Sequence, residues 1–315
     1  MTLPVQEDEV LQRIRRMLEN GIEAFGLRDD AAVLDVPAGG PLVVSVDSVV
    51  EGIHVDLSLC SPGDVGWKAL MGALSDLAAM GATPLAALVA LCVPGGSGDG
   101  QLTLGVMEGV AEASRASGCA VVGGDVSGGN QLVVSVTVLG TSEPIDPPAV
   151  ARIGAQPGDV VLDTGPCGAS AAGLRELRRG RGGSDTPGLA ESYRRPVARL
   201  REGRLARLAG AHAMMDVSDG LALDLHRLAA ASAVGLELDS VPVAAGATEE
   251  EALGGGEDYE LLIAIDVVGA GMLVDRFSSE GLRRPTMVGL VVEDASVFTL
   301  RGQALQPSGW QHRLG

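Results

Sequence analysis

Lysine is almost missing from this chain: Lys68 stands alone among 315 residues, and the other basic side chains are arginines. No GxxxxGK[ST] string surrounds it, which excludes a P-loop. Aromatics are few as well, with two Trp, two Tyr and three Phe, and the formal charge is −18. A nucleic-acid surface needs a basic footprint and stacking platforms, so that class is excluded too. Any phosphate ligand would need cations as intermediaries, although the acidity by itself is equally compatible with plain solubility. Cysteine is limited to Cys60, Cys92, Cys119 and Cys167, far apart and without a CxxC pair. Reduced, buried thiols are expected, not a zinc site or a disulfide framework. The best apolar run, Leu85 to Val93, has nine residues and stops at Pro94, short of the roughly 20 that cross a bilayer. Met1 to Asp8 lack the basic and apolar segments of a secretory signal, so a cytoplasmic address and no membrane partner are expected. HExxH, GxSxG and a helix-opening GxGxxG are absent from the sequence.

What is present is a long, glycine-rich chain, 46% hydrophobic with 45 glycines, large enough for two cores. Val10, Leu11, Ile14, Met17 and Leu18 recur at helical spacing, and Ala31 to Val36 and Leu42 to Val50 read as strands. Ser61 as N-cap, Pro62 at the first position, Asp64 at N3 and Gly81 past the end predict a helix over Pro62 to Met80. Strand Leu85 to Val93, a helix from Gln101 to Ser117, and strands Ala120 to Val122 and Leu132 to Leu139 complete an α+β block. Three prolines between Thr141 and Pro148 mark a linker, predicting domains at 1–140 and 149–315. The second contains strand Asp159 to Leu162, a helix over Ala169 to Leu177, a loop from Gly180 to Gly188, and strand Ala211 to Val217 leading to helix Leu221 to Ser232. Strand Leu261 to Ile265, a helix near Ala270 to Ser279 and strand Met287 to Val292 follow.

Isolated aspartates in small or apolar surroundings are the recurring chemical theme. Asp76 lies inside a predicted helix with Gly72, Ala73, Ala79 and Met80 at its i±3 and i±4 positions, so no cation is within helical reach. Such a carboxylate calls for a bound cation or a tertiary arginine, unless it faces solvent. Asp47 interrupts a strand, although aspartate is a poor strand former. Asp125 follows two glycines that would admit a phosphate or metal to the backbone, or simply make a turn. Asp29 and Asp30 form a like-charge pair that a divalent ion would relieve. Asp216, Val217, Ser218, Asp219 and Gly220 sit where a buried strand hands over to a helix, a place for metal-bound phosphate or for a plain N-cap at Asp219. His54 follows a strand in a loop and can serve as donor or ligand. In Gly254 to Glu260, a glycine-rich acidic loop, Glu257 and Asp258 could meet a cationic ligand.

Taken together, DDAAVL at Asp29, SVDSVVEGIH from Ser45, LSDLAAMGATP from Leu74, VGGD ending at Asp125, PGD at Pro157, RP at Arg195, DVSDGL at Asp216, GGEDYEL from Gly255 and a late Trp310 resemble the thiamine-monophosphate kinase family. This family lies in the superfamily of aminoimidazole ribonucleotide synthetase. The resemblance implies an α+β, two-domain aminoimidazole ribonucleotide synthetase-like fold. Its N-terminal mixed sheet with helices would dimerise, and a C-terminal α/β domain would complete the site. It also implies ATP- and Mg²⁺-dependent phosphorylation of thiamine monophosphate to thiamine diphosphate, in a homodimer, by direct in-line transfer with no protein nucleophile. Carried over by position, Asp30, Ser45, Asp47, Asp76, Asp125, Asp216 and Asp219 are the implied magnesium ligands. Gly124, Asp125, Arg152 and Ser218 are the implied ATP contacts, and His54, Glu257 and Trp310 the implied contacts to the thiamine moiety. Arg28, Val46, Ala73, Val126 and Ser127 depart from the family pattern; at Val46 a metal contact would survive only through the main chain.

Two other readings compete. Selenophosphate synthetase-like proteins carry a reactive Cys or selenocysteine in an N-terminal glycine-rich segment, whereas the first cysteine here is Cys60, and hydrogenase-maturation relatives end in a cysteine tail that this chain lacks. A non-catalytic nucleotide binder would have little use for so many mutually repelling carboxylates.

Overall fold

The computed structural model describes residues 32–36, 40–94, 100–142, 147–180 and 187–312. The expected helix around Val10 to Leu18, the Asp29 and Asp30 pair, Arg28 and the centres of the glycine-rich loops lie outside them. Five strands, β1 (Ala32–Val36), β2 (Gly40–Val50), β3 (Thr83–Pro94), β4 (Ala120–Gly129) and β5 (Val133–Thr141), form one sheet in the order β1-β2-β5-β3-β4. Only the β3–β4 pair is parallel. Two helices, α1 (Pro62–Ala79) and α2 (Gln101–Ser117), cover one face. Alternation does the sorting: Val43, Val49, Val89, Leu91, Val134, Val136 and Val138 turn inward, while Val46 and Leu88 stand 65% and 41% exposed on the other face.

The α1 helix begins as its sequence predicts, with Ser61 and Asp64 closing a reciprocal capping box and Pro62 at its first turn. It ends one residue early, before Gly81 at φ 65°. Thirteen of its eighteen residues are buried, because the sheet, α2 and the second half of the chain enclose it. Gly66 and Gly109 make the α1–α2 contact possible: a Cβ on Gly66 would lie 1.9 Å from the Val106 carbonyl oxygen, and one on Gly109 1.8 Å from that of Gly63.

A second sheet contains β6 (Val160–Asp163), β7 (Ala213–Asp216), β8 (Gly235–Leu238), β9 (Leu261–Ile265), β10 (Thr286–Val292), β11 (Phe298–Leu300) and β12 (Gln303–Ala304), in the order β12-β11-β8-β10-β6-β9-β7. Around it lie α3 (Ala169–Arg178), α4 (Pro187–Arg194), α5 (Leu200–Leu208), α6 (Leu221–Ser232), α7 (Glu249–Gly254) and α8 (Val267–Ser279). Both faces are covered, which is why β9 is apolar at every position. Leu262 and Ala264 join the core beneath α6, while Leu261, Ile263 and Ile265 join a core shared with Phe277 and with Ala78 and Ala79 of α1. The end of α1 is therefore embedded in the C-terminal half. Among the described residues no helix is long and apolar enough to cross a membrane.

Local structure departs from expectation in two respects. Asp125 does not end a strand, since β4 runs on to Gly129 in register with β3. Gly124 permits that pairing: a Cβ there would meet the Val89 carbonyl oxygen at 1.9 Å. The segments that form α4, α5 and β8 were not anticipated, because their periodic patterns are short and interrupted by arginine, glutamate or glycine.

Candidate active site

The spacing of α1 sets out the site. Lys68, Gly72 and Asp76 recur every four residues, so they share one face of the helix, and eight residues of rise separate the outer two by roughly 12 Å. At the Asp76 end, the Ser45 hydroxyl of β2 donates to Asp76 Oδ2 at 2.5 Å. One residue earlier, the Ser75 hydroxyl donates at 2.5 Å to Oδ2 of Asp216, which ends β7 and is buried. Neighbouring residues of one helix thus bring together a carboxylate from each half of the chain. Gly72 leaves the space between: its absent Cβ would lie 3.1 Å from both Asp47 Oδ2 and the Tyr259 hydroxyl. Burial, then the Glu257 and Asp47 carboxylates, hold the Tyr259 phenol protonated well above its ordinary range.

These groups open into a cavity of about 650 Å³ lined by residues of both halves, Asp47, Asp76, Asp216, Ser218, Asp219, His54, Glu257, Tyr259 and Trp310 among them. The oxygen-only donors at the Asp76 end suit a hard divalent cation. Among the described residues no three His, Cys, Asp or Glu side chains are grouped to hold one ion. Each ion would take one or two carboxylates and complete its shell from phosphate and water, the habit of Mg²⁺.

The far end is built differently. Val50 donates its amide to His54 Nδ1 at 3.0 Å, so the neutral ring carries its proton on Nε2, which stands 3.3 Å from His312 Nε2. Burial, then His312, lower the pKa of His54, favouring that neutral form. Trp310 meets the His312 ring edge-on at 6.1 Å and is tied by its amide to the Asp219 carbonyl at 2.8 Å. The chain's last described residues thus wall the cavity. Glu257 belongs to the same end: its Oε2 lies 2.6 Å from the ammonium of Lys68, which also reaches the His54 carbonyl.

The loop before β9 distributes its acids in turn. Glu257 and Tyr259 adopt left-handed φ values of 67° and 51°, uncommon for residues with a Cβ, and both face the cavity. Asp258 between them points away and accepts amides of Gly168 and Ser170 at the start of α3, at 2.5 and 3.1 Å. The expected role of Asp258 toward a cationic ligand is therefore corrected: it caps a helix. Asp219 is corrected as an N-cap as well. Gly220 holds that position, and Asp224 from within α6 accepts the Asp219 and Gly220 amides at 2.9 and 3.1 Å. The Asp219 carboxylate instead pairs with Arg227 while lining the cavity.

Not every expected site residue converges. Gly124, Asp125 and Arg152 are absent from the cavity lining. Asp47 shares a row across the sheet with Val136, Val89 and Gly124, whereas Asp125 falls one position on, level with Ser48, Ser135 and Ala90. Side chains alternate, so Asp125 stands on the open face of the sheet, as does Val46. The Arg152 carbonyl is bonded to Ser232, at the opposite end of α6 from Asp219. Asp30 lies outside the described residues. Lys68, Ser75, Tyr193, Tyr259 and His312 were missed. Two quoted strings held a local signal: LSDLAAMGATP contains Ser75, and GGEDYEL contains Tyr259.

Comparison with known proteins identifies the family. Residues 28–142 match the family model for the AIR synthase related protein, N-terminal domain, and residues 156–300 that for its C-terminal domain. The thiamine-monophosphate kinase of Bacillus subtilis is 38% identical over 259 residues, 78% of this chain and 79% of that protein. This chain belongs to the thiamine-monophosphate kinase family. Another member, from Methanopyrus kandleri, is 35% identical over 95% of this chain and 93% of its own. Among solved structures, a family member described as AaThiL complexed with AMPPCP and TMP covers 99% of both chains at 29% identity, with a TM-score of 0.86. The hydrogenase maturation protein HypE of E. coli shares the fold at 22% identity and a TM-score of 0.66.

Proposed function

We propose that this protein transfers the γ-phosphoryl group of ATP to the phosphate of thiamine monophosphate, releasing ADP and thiamine diphosphate. The observation that carries the reading is a single cavity with two unlike ends: oxygen donors of Asp47, Asp76 and Asp216 at one, and Glu257, His54 and Trp310 at the other. The first end suits metal-bound polyphosphate, the second a cationic aromatic heterocycle. Relatives named for this activity, and one solved with AMPPCP and TMP, support it.

In the reaction an acceptor phosphate oxygen forms a bond to the γ-phosphorus as the bond to the β,γ-bridging oxygen breaks, and ADP departs with that electron pair. The attacking oxygen is already ionised, so no protein base is required, and positioning dominates. Asp47, Asp76, Asp216 and Asp219 would hold Mg²⁺ in the cavity, with Ser75 orienting Asp216; Ser45, which also donates to Asp76, Asp30 and Asp125 are the further ligands that the family resemblance implies, Asp125 from the open face of the sheet. When bound, Mg²⁺ neutralises charge on both phosphates and on the carboxylates. Ser218, Gly124, Asp125 and Arg152 are the proposed ATP contacts. Glu257 would face the thiazolium, Trp310 would stack on the heterocycle, and His54 would border the substrate at the same end.

We place the protein in the cytoplasm as a homodimer, with domains at 1–140 and 149–315 and no nucleic-acid or membrane partner. Four free thiols support the address, and the open apolar sheet face supports the dimer. Purified protein with ATP, thiamine monophosphate and Mg²⁺ is expected to form thiamine diphosphate and ADP, separable by chromatography, and chelation should abolish it. Asp76→Asn should lower turnover by about 100-fold or more with an unchanged circular dichroism spectrum. No product at saturating Mg²⁺ would overturn the reading.

A further inference from the structure

Lys68, the chain's single lysine, is buried to 1% exposure in the interior. Its ammonium meets Glu257 Oε2 at 2.6 Å, the His54 carbonyl at 3.4 Å and the face of the Tyr193 ring at 4.0 Å. Those partners belong to three separate segments: the loop before β9, the loop after β2, and α4. All three partner residues line the cavity, and Lys68 stands behind them. An ammonium enclosed this way needs its counter-charge. The Glu257 carboxylate in turn is carried by a left-handed residue at φ 67°, a conformation that persists where surrounding contacts fix it.

With Oε2 engaged, Glu257 Oε1 makes no hydrogen bond or ion pair among the described residues. It is the oxygen free to face a ligand. We propose that Lys68 is a positioning residue for the acceptor substrate: it fixes the Glu257 carboxylate and the His54 main chain so that Oε1 meets a cationic heterocycle. Lys68 itself does not touch the ligand. This rests on the assignment of the Glu257 end to thiamine monophosphate. It also makes one ion pair between α1 and the C-terminal half responsible for the shape of that end.

The test compares Lys68→Met, Glu257→Gln and the double variant, each measured for KM of thiamine monophosphate, KM of ATP, kcat and thermal midpoint. Lys68→Met is expected to raise the acceptor KM about tenfold or more, as loss of a supporting partner commonly does, with the ATP KM within about threefold. Glu257→Gln alone leaves a buried ammonium without its counter-charge and should lower the midpoint. The double variant should regain that midpoint but keep the raised acceptor KM, so that the effects of the two changes on KM do not multiply. Equal effects of Lys68→Met on both substrates, or multiplication of the KM effects in the double variant, would overturn the proposal. Should Lys68→Met fail to fold, Lys68→Arg keeps the charge with a different geometry. A raised acceptor KM at retained kcat supports the positioning role, and an unchanged acceptor KM refutes it. A wild-type protein that makes no thiamine diphosphate refutes the kinase reading itself, whereas an active wild type with substrate-indifferent Lys68 variants refutes only the role of Lys68.

Discussion

Asp163, at the end of β6, is fully enclosed. The Cys167 thiol donates to its Oδ2 at 3.3 Å, and the Gly165 amide to Oδ1 at 3.2 Å. Burial, then the neighbouring Glu260 carboxylate, raise its pKa well above the ordinary carboxylate range. The folded chain therefore keeps a proton that the unfolded chain releases near pH 4. Above that pH the unfolded state binds fewer protons, so the contribution of Asp163 to stability is complete below pH 4 and is lost as pH rises toward its folded pKa. Asp163→Asn removes the titration. Its thermal midpoint relative to wild type should rise between pH 5 and pH 8, and a constant difference across that range would refute a buried, protonated Asp163. Asp224 and Asp258, both pushed up to about 7 chiefly by burial, act in the same direction.

Close approach governs the elements. The α1 helix can carry Lys68, Gly72 and Asp76 toward the cavity only because its opposite side packs tightly on α2 through Gly63, Gly66 and Gly109. Adding one methyl group at Gly109 sets a carbon 1.8 Å from the Gly63 carbonyl oxygen, so the helices must separate or shift. Gly109→Ala should destabilise the fold by about 3 kcal/mol, as overpacking does, measured by denaturant unfolding, although alanine ordinarily favours a helix over glycine. A neutral or stabilising result would mean that the helices do not approach so closely. The same helix shows what local pattern can tell: Ser61, Pro62 and Asp64 marked its start, because capping involves residues three apart.

For the whole molecule, the sheet of the N-terminal half presents a face that no other described residues cover, on which exposed Val46 and Leu88 share one row. In the proposed homodimer a second copy covers it, and Asp125, which stands on that face, comes to lie near the interface. Leu88→Glu puts a charge in the middle of this surface. It should convert the dimer to a monomer on size-exclusion chromatography with light scattering, and an unaltered mass would rule this face out as the contact.

The acidic motifs, the capped start of α1, the buried strand at β9 and the family resemblance were all legible in the sequence. Each depends on residues within a few positions of one another, where spacing and propensity decide. Tertiary structure alone decided that Glu257 and Tyr259 face the cavity while Asp258 caps α3, and that Asp224 rather than Asp219 holds the α6 turn. It decided equally that Asp125 turns away from Asp47 and that Lys68 stands behind the site. The reason is physical: which carboxylate meets a cation, an amide or open space depends on left-handed backbone angles and on contacts between segments up to 189 positions apart, and a local pattern carries neither.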